Sequence, residues 1–165
     1  AKIDIAFKVD AKNETNIYLN GLRVDSQIRK MKISEQVSNV SAIKEVRDAM
    51  VALQRRFGKD KGIIMDGRDI GTVGVPDAQL KVFMTADIAT RAIRRQKELM
   101  EANQLVNLDE VISNIAKRDS IDTSRKESPL RKADEAITID TTHMLMEEQV
   151  DEVVRLALGQ ILIQS

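Results

Sequence analysis

The sequence predicts an α/β protein, with a parallel core sheet and a small antiparallel sheet ahead of it. Short apolar runs at Ile63-Ile-Met65, Leu80-Lys-Val-Phe-Met84 and Ile137-Thr-Ile139 alternate with longer stretches of helical periodicity. Strands separated by helices are joined by crossovers, which make neighbouring strands parallel. The first two dozen residues alternate apolar and polar instead, and Asn20-Gly21 sits where a tight hairpin turn would fall. Hydrophobic residues make up 42% of the 165, enough for one ordinary core and too many for a chain disordered throughout.

The antiparallel sheet is expected over residues 2–24. Ile3, Ile5 and Phe7 share one face, Asn16-Ile-Tyr-Leu19 forms the next strand, and Leu22-Arg-Val24 follows the turn. From Ser26 to Phe57 the pattern is helical, with Ser34 as a candidate N-cap and Val46, Met50 and Leu53 as an apolar stripe. Ile63-Ile-Met65 reads as a parallel strand buried on both faces and ending at Asp66. Asp87 can cap a helix running to about Glu101. Asn107 and Glu110 form a capping-box-like pair for a helix with Leu108, Val111, Ile112 and Ile115 on its apolar face. The last helix carries Val150, Val153, Val154, Ala157 and Ile161, with Met144 and Met146 expected in the core before it.

Composition removes several function classes. There is no cysteine, so disulfides and thiolate metal sites are excluded. Charged residues are 32% of the chain and cancel to a formal net charge of zero, without the basic excess of a nucleic-acid-binding domain. Aromatics at 2% are too few for a base-stacking platform. No apolar run reaches bilayer length and the N-terminus lacks a signal-peptide pattern, so a soluble cytoplasmic protein is expected.

Three clusters could carry chemistry. Asp66, Arg68 and Asp69 follow the predicted strand, where open α/β sheets bind ligands, and Gly67 and Gly71 permit tight turns. Solvated charges in a turn are an equal alternative on spacing alone. Arg118, Asp122 and Arg125 stand at i, i+4 and i+7, on one helical face. Spacing favours a surface ladder there. The functional reading is a clamp, with guanidinium groups on phosphate and a carboxylate on sugar hydroxyls. Arg91, Arg94 and Arg95 form either a solvated basic face or a lid delivering cations to a transferring phosphoryl group. His143, the one histidine, lacks an evident partner and reads as a solvated loop residue.

Taken together, Gly67-Arg-Asp-Ile-Gly-Thr-Val-Gly-Val-Pro-Asp-Ala78, Arg118-Asp-Ser-Ile-Asp-Thr-Ser-Arg-Lys-Glu-Ser-Pro-Leu130 and Ile139-Asp-Thr-Thr142 resemble bacterial cytidylate kinases. Several matched elements in order are far more specific than one short motif. The resemblance implies a three-layer phosphate-loop kinase fold of strand order 2-3-1-4-5, of which this chain would supply strands 3, 4 and 5. A small monophosphate-binding insert would occupy residues 1–57, and the kinase core residues 58–165, with a lid at about 88–125. It implies transfer of the ATP γ-phosphoryl group, with Mg2+, to CMP or dCMP by a cytoplasmic monomer that binds neither nucleic acid nor membrane.

Residue by residue, the resemblance assigns Ser38, Arg47 and Asp69 to the cytosine edge and Arg118 and Asp122 to the sugar. It assigns Arg68 and Arg125 to the substrate phosphate. Under the lid reading of their helix, Arg94 and Arg95 are expected to be catalytic. Ser38 and Arg47 are nine residues apart, which on one straight helix would place them on opposite faces. A helix break is therefore expected between them, with Ser41 as the new N-cap. Asp69, at a strand end, is expected to be little buried and to contribute little stability. The family's G-x-x-x-x-G-K-[ST] phosphate loop is not among these 165 residues, so this polypeptide alone is expected to be inactive.

Overall fold

The computed structural model describes residues 3–59 and 61–164. Lys2, where the predicted antiparallel sheet begins, lies outside them. The chain divides into two compact units, Ala1–Ser38 and Asn39–Ser165.

In the first unit, β1 (Ile5–Val9) pairs antiparallel with β2 (Thr15–Leu19), Ile5 opposite Leu19 and Val9 opposite Thr15. β3 (Leu22–Arg23) pairs with the far edge of β2. The β2–β3 turn has φ of 51° at Asn20 and 81° at Gly21, the left-handed pair that a tight hairpin turn needs and that Asn-Gly accepts. At the other hairpin end, Asp10 Oδ1 accepts from the amides of Lys12 and Glu14 at 2.9 and 3.0 Å, and Oδ2 accepts from Asn16 Nδ2 at 3.1 Å. The bonds from Glu14, then Asn16, then Lys12 hold the Asp10 carboxyl below its ordinary 3.8. A lowered folded pKa means that this contribution to stability is present above 3.8 and lost as pH falls through the folded value. A carbon-detected NMR titration should place the Asp10 midpoint below 3.8, and a midpoint at or above it would overturn the assignment.

The single turn α1 (Asp25–Ile28) precedes α2 (Met31–Ser41) and α3 (Lys44–Gly58). The predicted break between Ser38 and Arg47 is present at residues 42–43, but the predicted caps are not. Ser34 is an interior residue of α2, its amide already bonded to the Lys30 carbonyl at 3.1 Å. Ser41 ends α2, and Ile43 is the N-cap of α3, with ψ of 121° and no side-chain cap bond.

Ile63-Ile-Met65 is not a strand. A strand persists through ladder partners for its N–H and C=O groups, and among the described residues none pairs with this segment. Ile64 is 96% exposed. The parallel sheet of the second unit is instead β4 (Val82–Thr85) beside β5 (Ile137–Asp140), Val82 opposite Ile137 and Thr85 opposite Asp140. The mixed α/β class is as predicted, with the parallel ladder limited to these two strands among the described residues.

After Gly67 the chain makes a wide π-type turn, Ile70–Gly74. The Asp69 carbonyl accepts from the amides of Thr72, Val73 and Gly74 at 3.3, 2.8 and 3.1 Å, and the Val75 amide donates to the Ile70 carbonyl at 2.7 Å. A β-carbon at Gly67 would lie 2.8 Å from Ile70 Cγ1, so a larger residue would force the Ile70 side chain or its neighbours to shift.

α4 (Ile88–Glu101) starts at Asp87, whose Oδ1 accepts from the Thr90 amide at 2.6 Å. α5 (Leu108–Ser124) starts at Asn107, whose Oδ1 accepts from the Asp109 amide at 2.8 Å. The two helices pack together, Ala92, Leu99 and Val111 being buried, and Arg91 bonds Asp119 across them at 2.6 Å. Asn107→Ala should lower stability by about 1 kcal/mol, the usual cost of a lost N-cap, as read by thermal melting.

α6 (Met146–Gln164) departs from expectation. Val150, Val154 and Ile161 are 51, 48 and 63% exposed, and Met146, expected in the core, is 70% exposed. The helical period is as predicted, but no described element covers that stripe. No helix among the described residues is long and apolar enough to cross a membrane.

Candidate active site

Asp69 begins the wide turn, so its side chain leaves the chain where the backbone is fixed by three amides. Its carboxylate is almost wholly buried and ion-paired with Arg47, from the first turns of α3. Arg125 Nη2 approaches the other oxygen at 3.8 Å.

Asp122, in the last turn of α5, is 2% exposed. Its Oδ1 lies 3.3 Å from Arg125 Nη1, and its Oδ2 lies 3.2 Å from Arg68 Nε. Arg125 has already left the helix, with ψ of 143°, and its Nε donates to the Ser128 carbonyl at 2.7 Å. Asp122 and Arg125 are thus parts of a buried cluster with Arg47 and Asp69, with the exposed Arg68 at its edge, not the solvated ladder that spacing favoured.

Ser41, predicted as a cap, belongs to the same cluster. Its carbonyl accepts from Arg47 Nη1 at 3.2 Å, and its hydroxyl is 3.4 Å from Arg125 Nη1. Arg118 is half-buried and within electrostatic reach of Arg68 and Asp122. Burial first, and then the Arg68 charge, push Arg118 below the ordinary arginine range; burial and then Arg47 do the same to Arg125. Both remain cations, because a guanidinium does not lose its proton in proteins. Two buried guanidinium groups, Arg47 and Arg125, thus meet two buried carboxylates, with the exposed Arg68 and the half-buried Arg118 nearby. Moreover, Arg47 Nε and Arg125 Nη2 are buried without a hydrogen-bond acceptor. A cleft of about 270 Å3, its lining including Arg47, Arg55, Asp48, Glu127, Val73 and Ser128, opens beside the cluster.

The remaining predicted residues have other partners or surroundings. Arg94 donates to Thr141 Oγ1 at 3.1 Å and to the carbonyls of Thr141 and Met144 at 2.6 and 3.1 Å. Arg95 bonds Glu98 at 2.7 Å and adds to the positive field at Arg118. Ser38 is the last residue of the first unit, buried on α2. Two supports went unread in the sequence. Arg55 Nη2 donates to the Val73 carbonyl at 3.0 Å, and buried Lys81 reaches the Pro76 carbonyl at 2.5 Å. The signal for Lys81 was a lone cation inside an apolar strand pattern.

Comparison with known proteins agrees with the arrangement of motifs. The family model described as cytidylate kinase matches residues 1–158. The chain belongs to the cytidylate kinase family. It is 54% identical over 162 residues to the cytidylate kinase of Cytophaga hutchinsonii, covering 98% of this chain and 69% of that protein. It is 48% identical over 148 residues to that of Bacteroides fragilis, covering 89% and 65%. With that of Flavobacterium psychrophilum the identity is 52% over 133 residues, covering 81% and 59%. The chain thus spans roughly two thirds of the length of these relatives.

The family's chemistry also brings Mg2+. Among the described residues no three histidine or carboxylate side chains converge to hold a metal ion. Such an ion ordinarily accompanies the phosphates of its nucleotide and keeps several waters.

Proposed function

We propose that this chain carries the acceptor site of a kinase that transfers the γ-phosphoryl group of ATP to CMP or dCMP. The observation that carries this reading is the pair of buried guanidinium N–H groups, on Arg47 and Arg125, that lack acceptors, with the exposed Arg68 and half-buried Arg118 beside them. A buried donor without a partner costs free energy, and a phosphate monoester supplies both negative charge and acceptor oxygens.

In this reading Arg68 and Arg125 hold the CMP phosphate and neutralise it. One of its oxygens can then attack the γ-phosphorus of ATP in line, as the bond to the departing ADP oxygen breaks. Arg47 and Asp69 address the cytosine edge, where a carboxylate accepts from the amino group and a guanidinium donates to the ring acceptors. Arg118 and Asp122 hold the sugar. Ser38 joins the base-reading set on the resemblance alone. Arg94 and Arg95 serve the transferring group from the lid, which for Arg94 requires release of its bonds to residues 141–144. The antiparallel insert at 1–57, the core at 58–165 and a cytoplasmic monomer complete the proposal.

Calorimetric titration with CMP, UMP, AMP and GMP tests it. CMP should bind at least about tenfold more tightly than the others, the effect of one well-matched buried polar group. Equal affinities, or no binding, would remove the acceptor-site reading.

A further inference from the structure

Lys81 is a buried cation that the proposed chemistry does not use. Its side chain is 6% exposed, immediately before β4, and lysine is seldom buried without a specific partner. Its Nζ bonds the Pro76 carbonyl at 2.5 Å and the carboxylate of Glu135, which is itself 63% exposed. Its stem runs past the other end of the same turn: a β-carbon at Gly71 would stand 3.4 Å from Lys81 Cδ.

Between these two contacts the backbone is closed by local bonds. The amides of Thr72, Val73 and Gly74 converge on the Asp69 carbonyl, Val75 returns to Ile70, and Ala78 bonds the Val75 carbonyl at 3.1 Å. Displacing either end of this segment must therefore move the residue at its head. Lys81 reaches both ends and fastens the segment to Glu135, just before β5. Arg55 holds the middle of the segment from α3, through the Val73 carbonyl.

We infer that Lys81 is a positioning residue for Asp69: by fixing the 70–78 segment from behind, it sets the Asp69 carboxylate for recognition of the cytosine edge. The inference rests on the acceptor-site reading for its functional consequence, but not for its structural one. A side chain with only a stabilising role would leave nucleotide preference unchanged.

The test uses the full chain with Lys81→Met, and with Glu135→Gln as a milder variant that leaves the lysine in place. Amide hydrogen exchange is measured at Thr72, Val73 and Gly74 without nucleotide, and CMP and UMP affinities are measured by calorimetry. In Lys81→Met, exchange at those amides should rise roughly tenfold while β4–β5 amides hold. The CMP-over-UMP preference should fall roughly tenfold, as expected when a recognition group loses its alignment. Glu135→Gln should shift both in the same direction by less. Unchanged exchange in both variants would overturn the inference, as would faster exchange with an intact nucleotide preference. If Lys81→Met fails to fold, Glu135→Gln decides by the same two readings. Wild type that binds no CMP would defeat the acceptor-site reading, and the exchange data would still decide whether Lys81 holds the turn.

Discussion

Asp69→Ala should both weaken CMP binding and destabilise the second unit by about 3–5 kcal/mol, the cost of removing one partner from a buried ion pair. The sequence alone pointed to a small stability cost, because a residue at a strand's end is commonly solvated. The structure reverses that expectation. Asp69 is 5% exposed and faces Arg47 and Arg125, both of which are themselves 9% exposed. Alanine would leave two buried guanidinium groups near each other, with Arg125 still paired to Asp122 and Arg47 without its buried partner. Asp69→Asn should be milder, because it keeps the volume and an acceptor while losing the charge. Urea unfolding followed at equilibrium gives the stability change, and calorimetry at a temperature where the variant is folded gives the CMP affinity. A variant as stable as wild type would mean that the guanidinium groups relax to solvent, and the cluster would then be a surface feature.

Patterns that depend on local chemistry were legible in the sequence. Asn20-Gly21 has the positive φ values that only such residues take cheaply, and Asp87 and Asn107 cap the helices they precede. The helix break was legible through function: nine residues between Ser38 and Arg47 do not fit one helical face. Its mechanism was not. Ser41 has the chemistry of a cap, but its carbonyl is engaged by Arg47 and its hydroxyl by Arg125, the second of these far along the chain.

Features set by neighbours were not legible. Ile63-Ile-Met65 has the composition of a buried strand, yet a strand is a property of a pair, and no described strand lies beside it. The α6 stripe is the same case, since periodicity shows which face is apolar and not whether anything covers it. Arg118, Asp122 and Arg125 matched a common helical face. What joins two of them to Asp69 is that Arg125 leaves the helix and turns back, its Nε held by the Ser128 carbonyl. Serine at 128 has φ of 49°, a strained backbone state for a residue with a side chain. Nothing in the residue spacing announces it.

The 165-residue polypeptide should bind CMP and yet show no CMP-dependent ADP release at enzyme-like rates. Phosphoryl transfer depends on fixed donors around the donor phosphates, supplied in phosphate-loop enzymes by backbone amides and a lysine. The nearest approach here is Gly62-Ile-Ile-Met-Asp-Gly67-Arg68-Asp69, which has the glycine spacing but arginine and aspartate where lysine and serine or threonine belong. Those two side chains belong to the proposed acceptor site, where Arg68 pairs with Asp122 and Asp69 with Arg47. The segment also does not leave a strand to enter an α-helix, the setting in which such a loop aims its amides at phosphate. Each missing preorganised donor costs on the order of 10²–10³ in rate, so the loss of several should take turnover below detection. A coupled assay of ADP release, run on a preparation whose CMP binding has been measured, checks this. Turnover at enzyme-like rates would show that another group among these residues holds the donor phosphates. Arg94 would be the first to mutate, because it is cationic, half-buried and bonded to the loop just beyond the carboxyl end of β5.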